Sequence, residues 1–154
     1  MTANMTEEIR VGEMAIRFLL EGDESDGSVA MFEFDVPGGS RVAAPHSHDG
    51  YEETIYGLEG RLVWTVEGES REVGPGEVLC IPRGAVHQFA NVGRALAKAL
   101  AIVTPGVLGA GYFREVSAVL AAAAGGPPDL AAIAAVMRRH GLTPVSPVSP
   151  AGNG

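Results

Sequence analysis

The sequence predicts an all-β domain, an antiparallel sandwich or barrel, followed by a short helical appendage. Three observations carry this. Apolar residues alternate with polar ones over short runs. Gly/Pro-rich turns separate those runs at close intervals. After Pro105 the composition turns to alanine and the apolar spacing becomes helical.

The elements follow in order. Met1 to Glu8 carries no pattern and is read as a loose arm. Met14, Ile16, Phe18 and Leu20 alternate as a strand, and Gly22 to Gly27 is a loop. Ala30, Phe32, Phe34 and Val36 alternate against Glu33 and Asp35 until Pro37-Gly38-Gly39 breaks the run. Strands are predicted over Val42–His48 and Thr54–Leu58, on either side of an Asp49-Gly50 turn. Arg61–Val66 and Arg71–Val73 form a hairpin about Glu67-Gly68-Glu69. Val78–Ile81 and His87–Asn91 flank the turn Pro82-Arg83-Gly84. Ala95–Val103 is alanine-rich, which favours helix, but its place in a run of strands makes it a strand. The barrel is therefore assigned to 9–104.

Residues 105–142 are read as two helices. Tyr112, Val116, Val119 and Leu120 form one apolar face, and Leu130, Ile133, Ala134 and Met137 a second. Asp129 stands near the start of the second helix, His140 is a cation in its last turn, and Gly141 follows as the C-cap. Both helices are expected on the outside of the barrel or on a partner subunit. Residues 143–154, with Pro-Val-Ser repeated, are read as a disordered tail.

Composition narrows the functional classes. The chain of 154 residues has a formal net charge of -8, against nucleic acid and anionic membranes as partners. No apolar run is long enough to span a bilayer, and Met1 to Arg10 lacks the layout of a signal peptide. Cys80 is the single cysteine, so no internal disulfide exists. A cytoplasmic location is the economical expectation.

His46-Ser47-His48-Asp49-Gly50-Tyr51-Glu52-Glu53 is the stretch that carries chemistry. On a strand His46 and His48 project to the same face, and the following turn brings a carboxylate back beside them. Alternation puts Glu52 and Glu53 on opposite faces, so at most one of them is a ligand. His87 follows the Pro82-Arg83-Gly84 turn, and its ring meets the first pair if the strands curl into a small barrel. Tyr51, Tyr56, Trp64 and Phe89 are candidates for a pocket wall, with core packing the plainer reading. Arg41 and Arg61 are read as surface, and Cys80 as a small buried hydrophobe.

These residues resemble the two motifs of the cupin family. Gly39, His46, His48, Glu53 and Gly60 match the first, with the leading glycine one residue further from the first histidine than usual. Gly76, Pro82, Gly84, His87 and Asn91 match the second without deviation. The resemblance covers roughly Val29 to Val103 and implies a jelly-roll (double-stranded β-helix) barrel. It also implies a metal held by His46, His48, Glu53 and His87, with Glu53 favoured over Glu52 by its spacing to Gly60. Such a ligand set suits one divalent ion among Fe, Mn, Ni, Cu and Zn, and leaves coordination positions open for a small-molecule substrate. The activity implied is a metal-dependent, dioxygenase-like enzyme, in which Glu53 doubles as a base. An isomerase or lyase using the metal as a Lewis acid is the alternative, as is a non-catalytic ligand-binding barrel. The family resemblance further implies a homodimer. Met14 to Leu20 and the alanine-rich helices are candidate surfaces for it.

Overall fold

The computed structural model describes residues 6–145. The strands are β1 (Glu8–Val11), β2 (Met14–Leu20), β3 (Ala30–Val36), β4 (Arg41–His48), β5 (Glu52–Glu59) and β6 (Leu62–Val66). They continue with β7 (Glu69–Val73), β8 (Val78–Ile81), β9 (His87–Ala90) and β10 (Ala97–Thr104). The helices α1 (Ala110–Ala122) and α2 (Leu130–Arg139) follow, and β11 (Leu142–Pro144) closes the described chain. Two antiparallel sheets form, one in the order β1-β2-β3-β10-β5-β8 and the other β11-β4-β9-β6-β7.

The alternation read in the sequence becomes the inside and outside of these sheets. Ala30, Phe32, Phe34 and Val36 point inward from β3, and Ala97, Ala99, Ala101 and Val103 from β10. The two strands pair in register from Ala97↔Val36 to Val103↔Ala30. The alanines of β10 are thus a strand's inner row, packed in the core cluster. Ile16, Ile55, Ile81 and Trp64 complete a core that is almost wholly removed from water. Loss of this apolar surface from water is the main term holding the sheets together.

The turns use glycine where the backbone demands it. Gly60 has φ 62°, and a Cβ there would lie 2.5 Å from the Leu96 carbonyl oxygen. Asn91, 2% exposed, pins the turn between β9 and β10. Its Nδ2 donates to the carbonyls of Val36 (2.9 Å) and Ala95 (2.8 Å), while its Oδ1 accepts from the Gly93 amide (3.0 Å).

Several expectations need correction. The arm ends sooner than read, because Glu8 begins β1, which pairs with β2; residues 1–5 lie outside the described residues. Thr143 and Pro144 belong to β11 and not to a tail. Three residues suffice here because they extend an existing sheet, opposite Ser47 and His46 of β4; residues 146–154 lie outside the description. Gly22–Ser25 is a short 3-10 helix within the loop. Cys80 is exposed, since on β8 Leu79 and Ile81 take the inner face. Met14 and Ile16 lie in the core, so the even face of β2 is already covered within the chain.

The helices pack on the barrel and share its core. Tyr112 and Val116 of α1 and Val136 and Met137 of α2 are buried in the same core cluster as the barrel residues. Asp129 caps α2 by accepting from the Ala132 amide at 3.0 Å, and Gly141 has φ 80° just past its end. Glu115 of α1 pairs with both Arg139 and His140, which ties the two helices together.

Candidate metal centre

The three histidines singled out in the sequence come together, and Glu53 reaches two of them. β4 ends in His46 and His48, and His46 lies opposite His87 in the β4–β9 pair. The ring centroids are 5.1 Å apart for His46 and His48, 4.5 Å for His46 and His87, and 4.4 Å for His48 and His87. One nitrogen from each ring fits within 4.8 Å of the others. Glu53 arrives from the opposite sheet, where β5 turns it and Ile55 inward. Its Oε2 lies 3.3 Å from Nε2 of His48 and 4.0 Å from Nε2 of His87.

Glu52 faces away, as alternation requires, and pairs with Arg83 at 2.7 Å on the surface. The turn that carries Arg83 is tied to the first motif, since the Gly84 amide donates to the His48 carbonyl at 2.9 Å. Gly84 has φ 78°, a conformation that favours glycine. One backbone hydrogen bond thus joins the two motifs beside the site.

Burial sets the electrostatics. His48 and His87 are each 2% exposed and Glu53 8%. Burial, helped by the neighbouring His87 and His46, pushes His48 down to about 2. Burial also lowers His87, against the opposing effect of its bond to Ala85. That bond, 2.9 Å from Nδ1 to the Ala85 carbonyl, makes Nδ1 the protonated nitrogen and leaves the Nε2 lone pair towards Glu53. Burial raises Glu53 to about 7. Among the described residues no lysine or arginine pairs with this carboxyl. Nδ1 of His48 is buried without a hydrogen-bond partner. The rings of His48 and Tyr51 stack at 4.5 Å, fixing the imidazole plane.

The donor set fits a divalent cation. Neutral imidazoles present lone pairs, and a cation would supply the countercharge that an ionised, buried Glu53 lacks. The residues that would hold it are His46, His48, Glu53 and His87.

The cluster opens on a cavity of about 720 Å³. Trp64 and Phe89 belong to its wall, stacked at 4.4 Å. Of the other candidates, Tyr51 sits behind His48, Tyr56 is exposed, and Arg61 reaches the surface carboxylates Glu72 and Glu77. The Arg41 side chain lies outside the described side chains. His140 caps α2 and is not part of the cluster. Sequence reasoning missed the far wall, which α1, α2 and β11 supply through residues such as Tyr112, Phe113, Val116, Met137 and Leu142. Their spacing marks an apolar helix face but not what it covers.

Comparison with known proteins agrees with this geometry. A cupin-domain family model matches residues 32–103. A 96-residue stretch is 26% identical to quercetin 2,3-dioxygenase of Bacillus subtilis; it is 62% of this chain and spans only 28% of that protein. A predicted oxalate decarboxylase of Thermotoga maritima superposes with TM-score 0.60 at 25% identity, over 66% of this chain and 92% of that one. The polyketide cyclase RemF of Streptomyces resistomycificus gives 0.57 at 26% identity, over 71% and 89%. No helix among the described residues is long and apolar enough to cross a membrane. Both motifs, the paired antiparallel sheets and these likenesses converge on a cupin fold, with a match to the cupin-domain family model at residues 32–103.

Proposed function

We propose that His46, His48, Glu53 and His87 hold one divalent transition-metal ion, and that the protein is a metal-dependent, dioxygenase-like enzyme acting on a small organic molecule in the cavity. The observation that carries this reading is the convergence of three imidazoles and one carboxylate at the edge of an apolar cavity. Bound there, the ion would serve as a Lewis acid for a substrate oxygen and, if redox-active, as a centre for dioxygen. The protein's own part is to hold the imidazoles neutral, to exclude water with aromatic walls, and to place Glu53 beside the substrate. Without an ion, burial raises that carboxyl to about 7; a bound cation would hold it ionised.

A second, non-redox reading is favoured by the likeness to the polyketide cyclase. Isomerisation or ring closure needs the same ligands and the same Glu53, but no dioxygen. A homodimer accompanies either reading. Tyr56, Leu58 and Val78 leave an exposed apolar surface on the six-stranded sheet for it, and sedimentation velocity measures it.

The test is elemental mass spectrometry of the purified chain, before and after reconstitution with Fe, Mn, Ni, Cu and Zn. One ion per chain, lost in His46→Ala and His87→Ala with the fold retained by circular dichroism, is the expected result. No binding of any of the five ions overturns the reading. Oxygen uptake by the loaded protein then separates the dioxygenase from the non-redox form.

A further inference from the structure

The wall opposite the barrel comes from outside the cupin domain. Tyr112 stands on that wall, 9% exposed, and lines the same cavity as His46, His48, Glu53 and His87. Its ring is held edge-on by Phe113 at 4.9 Å and by His140 at 5.4 Å. Among the described residues nothing hydrogen-bonds its hydroxyl. A hydroxyl at a cavity wall with no partner in the protein is open to a ligand or water.

The surroundings say what that ligand is. Phe32, Phe34, Trp64, Phe89, Phe113 and Leu108 make the cavity apolar and largely aromatic. Apart from the imidazoles, Arg138 is the one cation among the described lining residues, and it is exposed. Among the described lining side chains, a small dianion or a sugar phosphate would find no buried countercharge away from the metal ligands. A cavity of about 720 Å³ suits a ligand of two or three rings.

We infer that Tyr112 is a specificity-determining residue, whose hydroxyl donates a hydrogen bond to an oxygen of an uncharged, apolar, ring-containing substrate. The inference rests on the cavity being the substrate site of the proposed enzyme, and it adds both the chemical class of the ligand and a contact from α1. A tyrosine phenol is protonated at neutral pH and so donates.

Trp64, the only tryptophan, lies in the cavity wall and reports occupancy by its fluorescence. The probes are flavone, which has a carbonyl acceptor, and 2-phenylnaphthalene, a hydrocarbon of similar shape. Both are titrated into wild type and Tyr112→Phe, metal-free and metal-loaded, with metal content measured in parallel. Saturable quenching by both probes in wild type is expected. Tyr112→Phe weakens flavone about five- to tenfold, leaves 2-phenylnaphthalene unchanged and leaves metal content unchanged. Equal flavone affinity in the two proteins overturns the role of Tyr112. Absence of saturable quenching by either probe in wild type overturns the ligand class. A chain that binds no metal overturns the proposed enzyme instead, and the metal-free titration still decides on Tyr112.

Discussion

Glu52 and Glu53 are neighbours in sequence that point to opposite sides of one strand. Glu52 meets Arg83 at the surface, and Glu53 meets His48 inside the barrel at 3.3 Å. This divergence is a direct test of the proposed site. Glu53→Gln should weaken metal binding about a hundredfold or more, while Glu52→Gln leaves it unchanged. Titration with a competing chelator measures both.

The same carboxyl gives the metal-free protein a pH signature. Glu53 is raised from 4.5 to about 7, so the folded state binds a proton more tightly than the unfolded state. Stability from this group is full below pH 4.5 and falls as pH rises through 7. His48 and His87 are lowered, so their contribution has the opposite sign: it is present above 6.5 and lost as pH falls. Glu53→Gln removes only the first effect. In chelator, the variant should gain about 3 kcal/mol on wild type between pH 5 and 8. Urea unfolding at several pH values gives the difference.

Asn91 belongs to the second motif yet lies on the turn to β10, with three hydrogen bonds to the backbone and none to the site. Asn91→Ala should destabilise the fold by about 2–4 kcal/mol, because buried carbonyls lose their donor. The metal content of the folded fraction should not change. Chemical unfolding beside elemental analysis separates the two outcomes.

Gly60 closes the first motif for a steric reason. Gly60→Ala should cost more than about 2 kcal/mol, since a methyl group meets the Leu96 carbonyl and the backbone is held at φ 62°. A lowered melting temperature with unchanged metal stoichiometry is the expected result.

Period-two alternation and turn chemistry made the order of nine strands legible in the sequence from Met14 to Val103, including the alanine-rich strand that local propensity alone would call helical. The site was legible for the same reason. His46 and His48 share a strand face, and two motifs name their partners. The far wall was not legible. Tyr112 and Met137 lie on ordinary amphipathic faces, and nothing local says that those faces look into the barrel. β11 escaped for a related reason: a three-residue strand has almost no period of its own, and its pairing with β4 is set by contacts distant in sequence. Cys80 was misplaced because apolar neighbours on both sides hide which face a strand residue takes.

β11 has a consequence for the order in which the protein can become competent. Without it, β4 would be an edge strand with unsatisfied amides and carbonyls beside His46 and His48. The Asp49 amide would lose the Gly141 carbonyl, and its carboxylate the Thr143 hydroxyl. A ribosome delivers these partners long after it has delivered both histidines. Until they emerge, β4 would be paired on one side only, so the proposed ion site would be braced last, by the segment that follows α2.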